Sequence, residues 1–254
     1  MLDIVQIPVL NDNYIYLLHD TASGLTAAVD PAVADAVIDA IDAREWRLDF
    51  ILNTHHHGDH VGGNRQLKQR TGCRVVGSKT DRERIPGIDI EVGDGDVFRL
   101  GETTFDVIDT PGHTNGHVVY YSAEEGVLFC GDTLFAMGCG RLFEGTAEAM
   151  WASLQKLKAL PGSTRVYCAH EYTLNNGRFA LTIEPENAAL QNRTGEVMRL
   201  RSENRPTVPF TMAEELATNP FLRADTIALQ TSLNMTDQPA VAVFAEVRAR
   251  KDRF

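Results

Sequence analysis

The run Thr54-His55-His56-His57-Gly58-Asp59-His60 constrains this chain more than any other stretch, with four histidines and an aspartate in seven residues. Adjacent imidazoles contribute little to an apolar core, and a solvated loop has no use for so many. Imidazole and carboxylate at this density suit a divalent metal. The run follows Phe50-Ile51-Leu52, an apolar strand by pattern, and precedes Val61-Gly62-Gly63, which reads as a turn into a helix. A strand end is a favourable place for ligands, because the sheet fixes where the loop begins.

Three later segments repeat that context. Asp109-Thr110-Pro111-Gly112-His113 puts a histidine in a turn after a strand, Cys130-Gly131-Asp132 puts an aspartate after another, and Tyr167-Cys168-Ala169-His170 does the same with a histidine. The candidates are then five imidazoles and two carboxylates, too many for one tetrahedral zinc and suited to two ions with a bridge. Residues i and i+2 of an extended segment share a side. On that basis His55 and His57 serve one ion with His56 directed away, and Gly58 allows the bend that turns Asp59 and His60 toward a second. His113 completes the first set and His170 the second. Asp132 bridges, since a carboxylate offers two acceptor oxygens and a neutral imidazole does not. His19, His56 and His117 are expected to be structural or surface residues.

Composition narrows the class. At 254 residues, 43% hydrophobic and 23% charged, the chain has the make-up of a globular protein with a sizeable core. The N-terminal stretch lacks a signal-peptide pattern and no apolar run reaches membrane-spanning length, so a cytoplasmic location is expected. Cys73, Cys130, Cys139 and Cys168 form no CxxC pair, which fits a reducing compartment. A net charge of −11 disfavours binding to nucleic acid or to an anionic membrane. The densest basic run is Arg248 to Arg253, near the chain end.

The pattern along the first part alternates strands with helical spacing at 32–43, 64–70 and 147–160, with 81–95 read as loop and 164–168 as the last strand. From residue 174 onward helical stretches dominate, at 174–204, 212–217 and 240–250. Two domains are expected, at 1–170 and 171–254.

The motif THHHGDH, followed by a lone His, Asp and His, resembles the metallo-β-lactamase fold superfamily, as do PGHTNGH and FCGDTLF. GCGRLFEGT at 138–146, YCAHEYTLNN at 167–176, TNPFLR at 218–223 and the terminal VRARKDRF are similar to the glyoxalase II (hydroxyacylglutathione hydrolase) family within it. The resemblance spans essentially the whole chain. It implies an α/β (α+β) fold, a four-layer αββα sandwich followed by a C-terminal helical domain that helps to bind glutathione. It implies hydrolysis of S-D-lactoylglutathione to glutathione and D-lactate, the second step of methylglyoxal detoxification.

Carried over by motif, His55, His57, His113 and Asp132 hold one ion, and Asp59, His60, Asp132 and His170 the other. Zinc is the first expectation, with iron or manganese as alternatives. Hydroxide held between the ions attacks the thioester carbonyl, with Asp59 and Asp132 as the catalytic carboxylates. The family's glutathione contacts fall on Arg141, Phe143, Tyr172, Arg248 and Lys251. Arg141 stands where some members have Lys and Phe143 where some have Tyr, which removes a hydroxyl. A monomer acting on a small-molecule thioester is expected. The nearest alternative is a glutathione persulfide dioxygenase with one iron on the same fold, a group that typically lacks the long helical C-terminus.

Overall fold

In the computed structural model, which describes residues 1–254, the chain opens as β1 (Leu2–Val9) and β2 (Asn13–Asp20), paired antiparallel. There follow β3 (Thr26–Val29), α1 (Ala34–Asp42), β4 (Phe50–Leu52), α2 (Gly58–Val61), α3 (Asn64–Thr71), β5 (Arg74–Ser78) and β6 (Ile88–Val92). The six strands lie in chain order in one sheet, antiparallel from β1 to β3 and parallel from β3 to β6. Each parallel connection from β3 to β5 carries helix, as a crossover between parallel neighbours requires.

Side chains alternate across this sheet, and the alternation builds two cores. Ile15 and Leu17 of β2 join Val37, Ile38 and Ile41 of α1 and Leu67 of α3 in one buried cluster. Tyr16, between them, points to the other face and meets Phe129 with ring centroids 5.6 Å apart. Phe129 lies on a second layer, the antiparallel meander β7 (Val97–Leu100), β8 (Thr103–Asp109), β9 (Val118–Ser122) and β10 (Val127–Gly131). Phe50 meets Phe98 edge-on at 5.2 Å across the same interface. Helices, the first sheet and the meander are three layers of one compact unit, residues 1–110 and 114–131.

The second unit comprises 111–113 and 132–254. It begins with a small hairpin of β11 (Leu134–Phe135) and β12 (Gly138–Cys139). α4 (Ala147–Lys158), β13 (Arg165–Cys168), α5 (Thr173–Ile183), α6 (Ala188–Ser202), β14 (Phe210–Thr211), α7 (Met212–Thr218), α8 (Ile227–Leu233) and α9 (Ala240–Arg253) complete it. Phe179, Phe221 and Phe244 form an aromatic spine, with centroids 6.1 and 6.0 Å apart, and Trp151 of α4 joins it at 5.9 Å. No helix is long and apolar enough to cross a membrane.

Sequence and structure differ at several elements. The segment 81–95 is not all loop. Ile88, Ile90 and Val92 alternate with acidic residues as β6, which pairs with β5. The long helical stretch from 174 is two helices, broken around Glu184-Pro185, where Pro lacks the amide that a helix interior needs. The β11–β12 hairpin and β14 were too short for periodicity to register, and α8 was not among the expected helices.

The packing between the first sheet and the meander yields a stability test. Phe129→Ala removes a ring that is 1% exposed, and should cost about 3–5 kcal/mol. Val97→Ala, on a residue half exposed, should change stability by no more than about 0.5 kcal/mol. Urea denaturation of both variants checks the contrast.

Candidate metal centre and binding cavity

The histidine run begins directly beyond β4, at the carboxyl end of a strand flanked by parallel neighbours. Open α/β sheets place their ligands there. Asp30 occupies the corresponding position beyond β3, with φ 48, a left-handed conformation that Asp tolerates better than most residues. Its buried carboxylate organises the run. Oδ1 accepts the Thr54 amide at 2.8 Å, and Oδ2 accepts the Thr54 hydroxyl at 2.6 Å and His60 Nδ1 at 3.0 Å.

These bonds fix tautomers. The Thr54 hydroxyl donates its proton to Asp30, so its oxygen accepts from His55 Nδ1 at 3.1 Å. His55 and His60 therefore carry hydrogen on Nδ1 and leave Nε2 with its lone pair, the ligand form. His55 Nε2 stands 3.0 Å from His57 Nδ1, so the two rings aim at one point. His56 turns the other way, to Asp81 at 2.8 Å. The opposition expected from an extended segment holds for these three histidines.

The bend after His57 has a different origin from the one expected. Gly58 is not left-handed, and a Cβ added to it would meet nothing within 4 Å. The turn is α2 itself, with His57 as its extended N-cap and Asp59 and His60 within its four residues. Asn13 donates to the Asp59 carboxylate at 3.1 Å and to its carbonyl at 3.3 Å. His60 Nε2 lies 3.6 Å from Asp59 Oδ2. His117 stacks beside His55 at 4.8 Å and bonds Thr110, whereas His19 stacks on Trp46 at 4.1 Å.

The second unit brings His113, Asp132 and His170 together. His113 Nε2 is 3.4 Å from Asp132 Oδ2, and His170 Nε2 is 3.4 Å from Asp132 Oδ1. Each carboxylate oxygen thus faces a different imidazole. His113 Nδ1 lies 2.8 Å from the Arg141 carbonyl, which only accepts, so the hydrogen is on Nδ1 and Nε2 is the lone-pair nitrogen. Two donors each about 2.0–2.1 Å from one tetrahedral ion stand roughly 3.4 Å apart. The donor chemistry and the spacing therefore fit a carboxylate shared between two divalent ions, one beside each histidine.

The same unit contains a cavity of about 350 Å³ that His113 and Asp132 line together with Arg141, Tyr172, Arg248 and Lys251. Phe143, 62% exposed, borders it and meets His113 edge-on at 5.2 Å. Its wall is the β11–β12 hairpin. Met137, at the turn, has φ 55 and donates its amide to the buried Glu215 at 3.0 Å. Asn219 donates to the carbonyls of Phe135 and Gly138, and Asn176 to that of Ala136. A Cβ on Gly138 would come within 2.4 Å of Asn176, so the close approach needs glycine.

The two expected basic contacts of α9 differ in character. Arg248 is 5% exposed; it donates to Asp252 at 2.8 and 3.0 Å and to the Cys139 carbonyl at 2.9 Å, and it lies over Phe221. It braces α9 against β12. Lys251 sits between the Phe179 and Phe254 rings, 5.1 and 5.0 Å from their centroids. Burial, reinforced by repulsion from Arg248 and Arg141, pulls its pKa down to about 8. Cys139, on the cavity wall, has its thiol pushed up to about 11 by burial, which keeps it protonated and unreactive.

Sequence reasoning missed Asp30, Thr54, Asn13, Asn176 and Asn219. Asp30 follows an apolar strand as Asp132 does, and that shared context was the available signal. Asn176 and Asn219 lie inside the motifs at 167–176 and 218–223, but their targets are backbone carbonyls, which no sequence pattern marks.

Comparison with known proteins places these features. Residues 15–170 match the metallo-beta-lactamase superfamily, and residues 171–254 match the hydroxyacylglutathione hydrolase C-terminus. A hydroxyacylglutathione hydrolase of Methylococcus capsulatus is 61% identical, with 100% of this chain and 99% of the relative covered. One from Rhodospirillum rubrum is 53% identical, again over 100% of this chain and 99% of the relative. Among solved structures, the B3 metallo-beta-lactamase BLEG-1 aligns with a TM-score of 0.67 at 25% identity, over 87% of this chain and 99% of the other. ETHE1 from Myxococcus xanthus aligns over 100% of both chains with a TM-score of 0.68 at 23% identity, a likeness of fold. The chain has the metallo-β-lactamase fold with a helical C-terminal region, and it belongs to the hydroxyacylglutathione hydrolase family.

Proposed function

We propose that this chain is a cytoplasmic, monomeric thioester hydrolase that converts S-D-lactoylglutathione and related 2-hydroxyacyl glutathione thioesters to glutathione and the hydroxy acid. Residues 1–170 form the catalytic domain and 171–254 the glutathione-binding domain. The observation that carries this reading is one cavity lined both by metal-ligand types, His113 and Asp132, and by cations, Arg141 and Lys251. An anionic thioester needs both kinds of group. Full-length similarity to named hydroxyacylglutathione hydrolases supports it, and the matched C-terminus at 171–254 counts against the persulfide dioxygenase.

His55, His57, His113 and Asp132 are proposed to hold one divalent ion, and Asp59, His60, Asp132 and His170 the other, with zinc preferred and iron or manganese able to replace it. Such ions supply Lewis acidity and lower the pKa of a bound water from about 15.7 to about 7. Asp132, with one oxygen facing each of His113 and His170, would serve both ligand sets. Asp59, held by Asn13, is the carboxylate able to take and return a proton on the side of the second ion. Arg141 and Lys251 attract the substrate's carboxylates and hold the thioester near His113 and Asp132. Phe143 offers an apolar edge where a tyrosine would add a hydroxyl. The leaving thiol has a pKa of about 8.5, so the thiolate departs without a strong general acid. Arg248 acts by shaping the wall, since its guanidinium is already engaged.

Two tests follow from these assignments. Metal content after loading should fall by at least about half an equivalent in His57→Ala and stay at the wild-type level in His56→Ala; equal loss in both would contradict the ligand set. Steady-state hydrolysis across pH checks the substrate reading. Lys251 is charged below its pKa and neutral above it, so carboxylate attraction is nearly complete at pH 7, halved near pH 8 and largely lost by pH 9. The Michaelis constant for S-D-lactoylglutathione should rise by up to about tenfold from pH 7 to pH 9. Lys251→Arg, which keeps its charge, should flatten the profile, and an uncharged simple thioester should show no such rise. Absence of glutathione thioester hydrolysis by metal-loaded protein would refute the proposed function.

A further inference from the structure

Around His170 the structure builds a cage of rings. The imidazole of His170 and the phenol ring of Tyr172 stack nearly parallel, 2° apart, with centroids at 4.7 Å. Phe135 of the hairpin meets both edge-on, at 6.0 Å from His170 and 5.2 Å from Tyr172. His170 is 3% exposed and Phe135 5%, whereas Tyr172 is 37% exposed and lines the cavity.

We infer that the Tyr172 ring is a positioning element for His170, keeping its imidazole directed at Asp132 and so retaining the metal ion beside it. The inference rests on the proposed role of His170 as a ligand. It separates two parts of one side chain. The ring acts on His170 through the face stacked against it, and the hydroxyl is tested apart from the ring.

The physical basis is orientational. Rotation of His170 about its Cβ–Cγ bond would swing Nε2 away from Asp132 Oδ1, now 3.4 Å distant. A parallel ring on one face opposes that rotation, and an edge-on Phe135 narrows the remaining freedom. Aromatic pairs of this kind contribute modestly beyond their buried area. Metal ligands depend on such neighbours for orientation, and losing a hydrogen-bonded one typically weakens metal binding by about 10–100-fold. A ring contact should do less, about 3- to 10-fold.

The test is the rate at which loaded protein releases zinc to a colorimetric chelator, together with the bound stoichiometry. Wild type, Tyr172→Phe, Tyr172→Ala, Tyr172→Leu and His170→Ala are compared, with urea unfolding of each metal-free protein as the folding control. Tyr172→Phe should release zinc at the wild-type rate, while Tyr172→Ala and Tyr172→Leu release it about 3- to 10-fold faster. Leu keeps apolar bulk, so it reads the ring if the alanine variant does not fold. Wild-type release in the Leu variant, with zinc lost from His170→Ala, would overturn the role of the ring alone. Fast release in Tyr172→Phe would also overturn it, by assigning the effect to the hydroxyl. Full zinc retention in His170→Ala would overturn the ligand assignment beneath it.

Discussion

The carboxylate of Asp132 divides its two oxygens between two histidines, and the chemistry of the site depends on that division. His113 and His170 each stand 3.4 Å from a separate oxygen. That distance is long for a direct charge-assisted hydrogen bond, which is about 2.7–2.9 Å. It is the spacing of neighbours around a shared ion. Asp132 is 7% exposed, and a buried carboxylate needs partners for its charge, which cations beside it would supply. The same residue also lines the cavity, so the group that would link the ions borders the space where the substrate would lie.

Each unit uses buried polar groups to hold its own elements in place. In the first, Asp30 adopts a left-handed backbone and accepts three hydrogen bonds from Thr54 and His60, which fixes two imidazole tautomers. In the second, Glu215, Asn219 and Asn176 satisfy the backbone of a hairpin too small to be stable by itself. Arg193 pairs with Glu215 at 2.6 Å and offsets its charge; even so, burial raises the carboxyl pKa. The hairpin supplies Phe135 to the ring cage and Cys139 to the brace made by Arg248, so one supporting network reaches both His170 and the cavity wall.

The legible parts of the sequence were those with a local pattern. Alternation separated His56 from His55 and His57, and apolar strands announced the positions of His113, Asp132 and His170. The amphipathic helix at 147–160 showed its period directly. What escaped was long-range or very short. Asp30 and Thr54 act 24 residues apart in the chain, and Asn219 serves a carbonyl 81 residues away. β11 and β12 have two residues each, below the length at which a period of two can be seen. Arg248 and Lys251 share a helical spacing, but only packing reveals that one is a buried brace and the other a cation with a depressed pKa.

If Asp132 bridges two ions, removing its carboxylate must affect both, unlike the loss of any single histidine. Elemental analysis of metal-loaded Asp132→Ala beside wild type tests this most directly. Two equivalents of divalent metal in the wild type and well under one in the variant is the result this account requires. A variant that still holds two equivalents, or a wild type that holds only one, would contradict it.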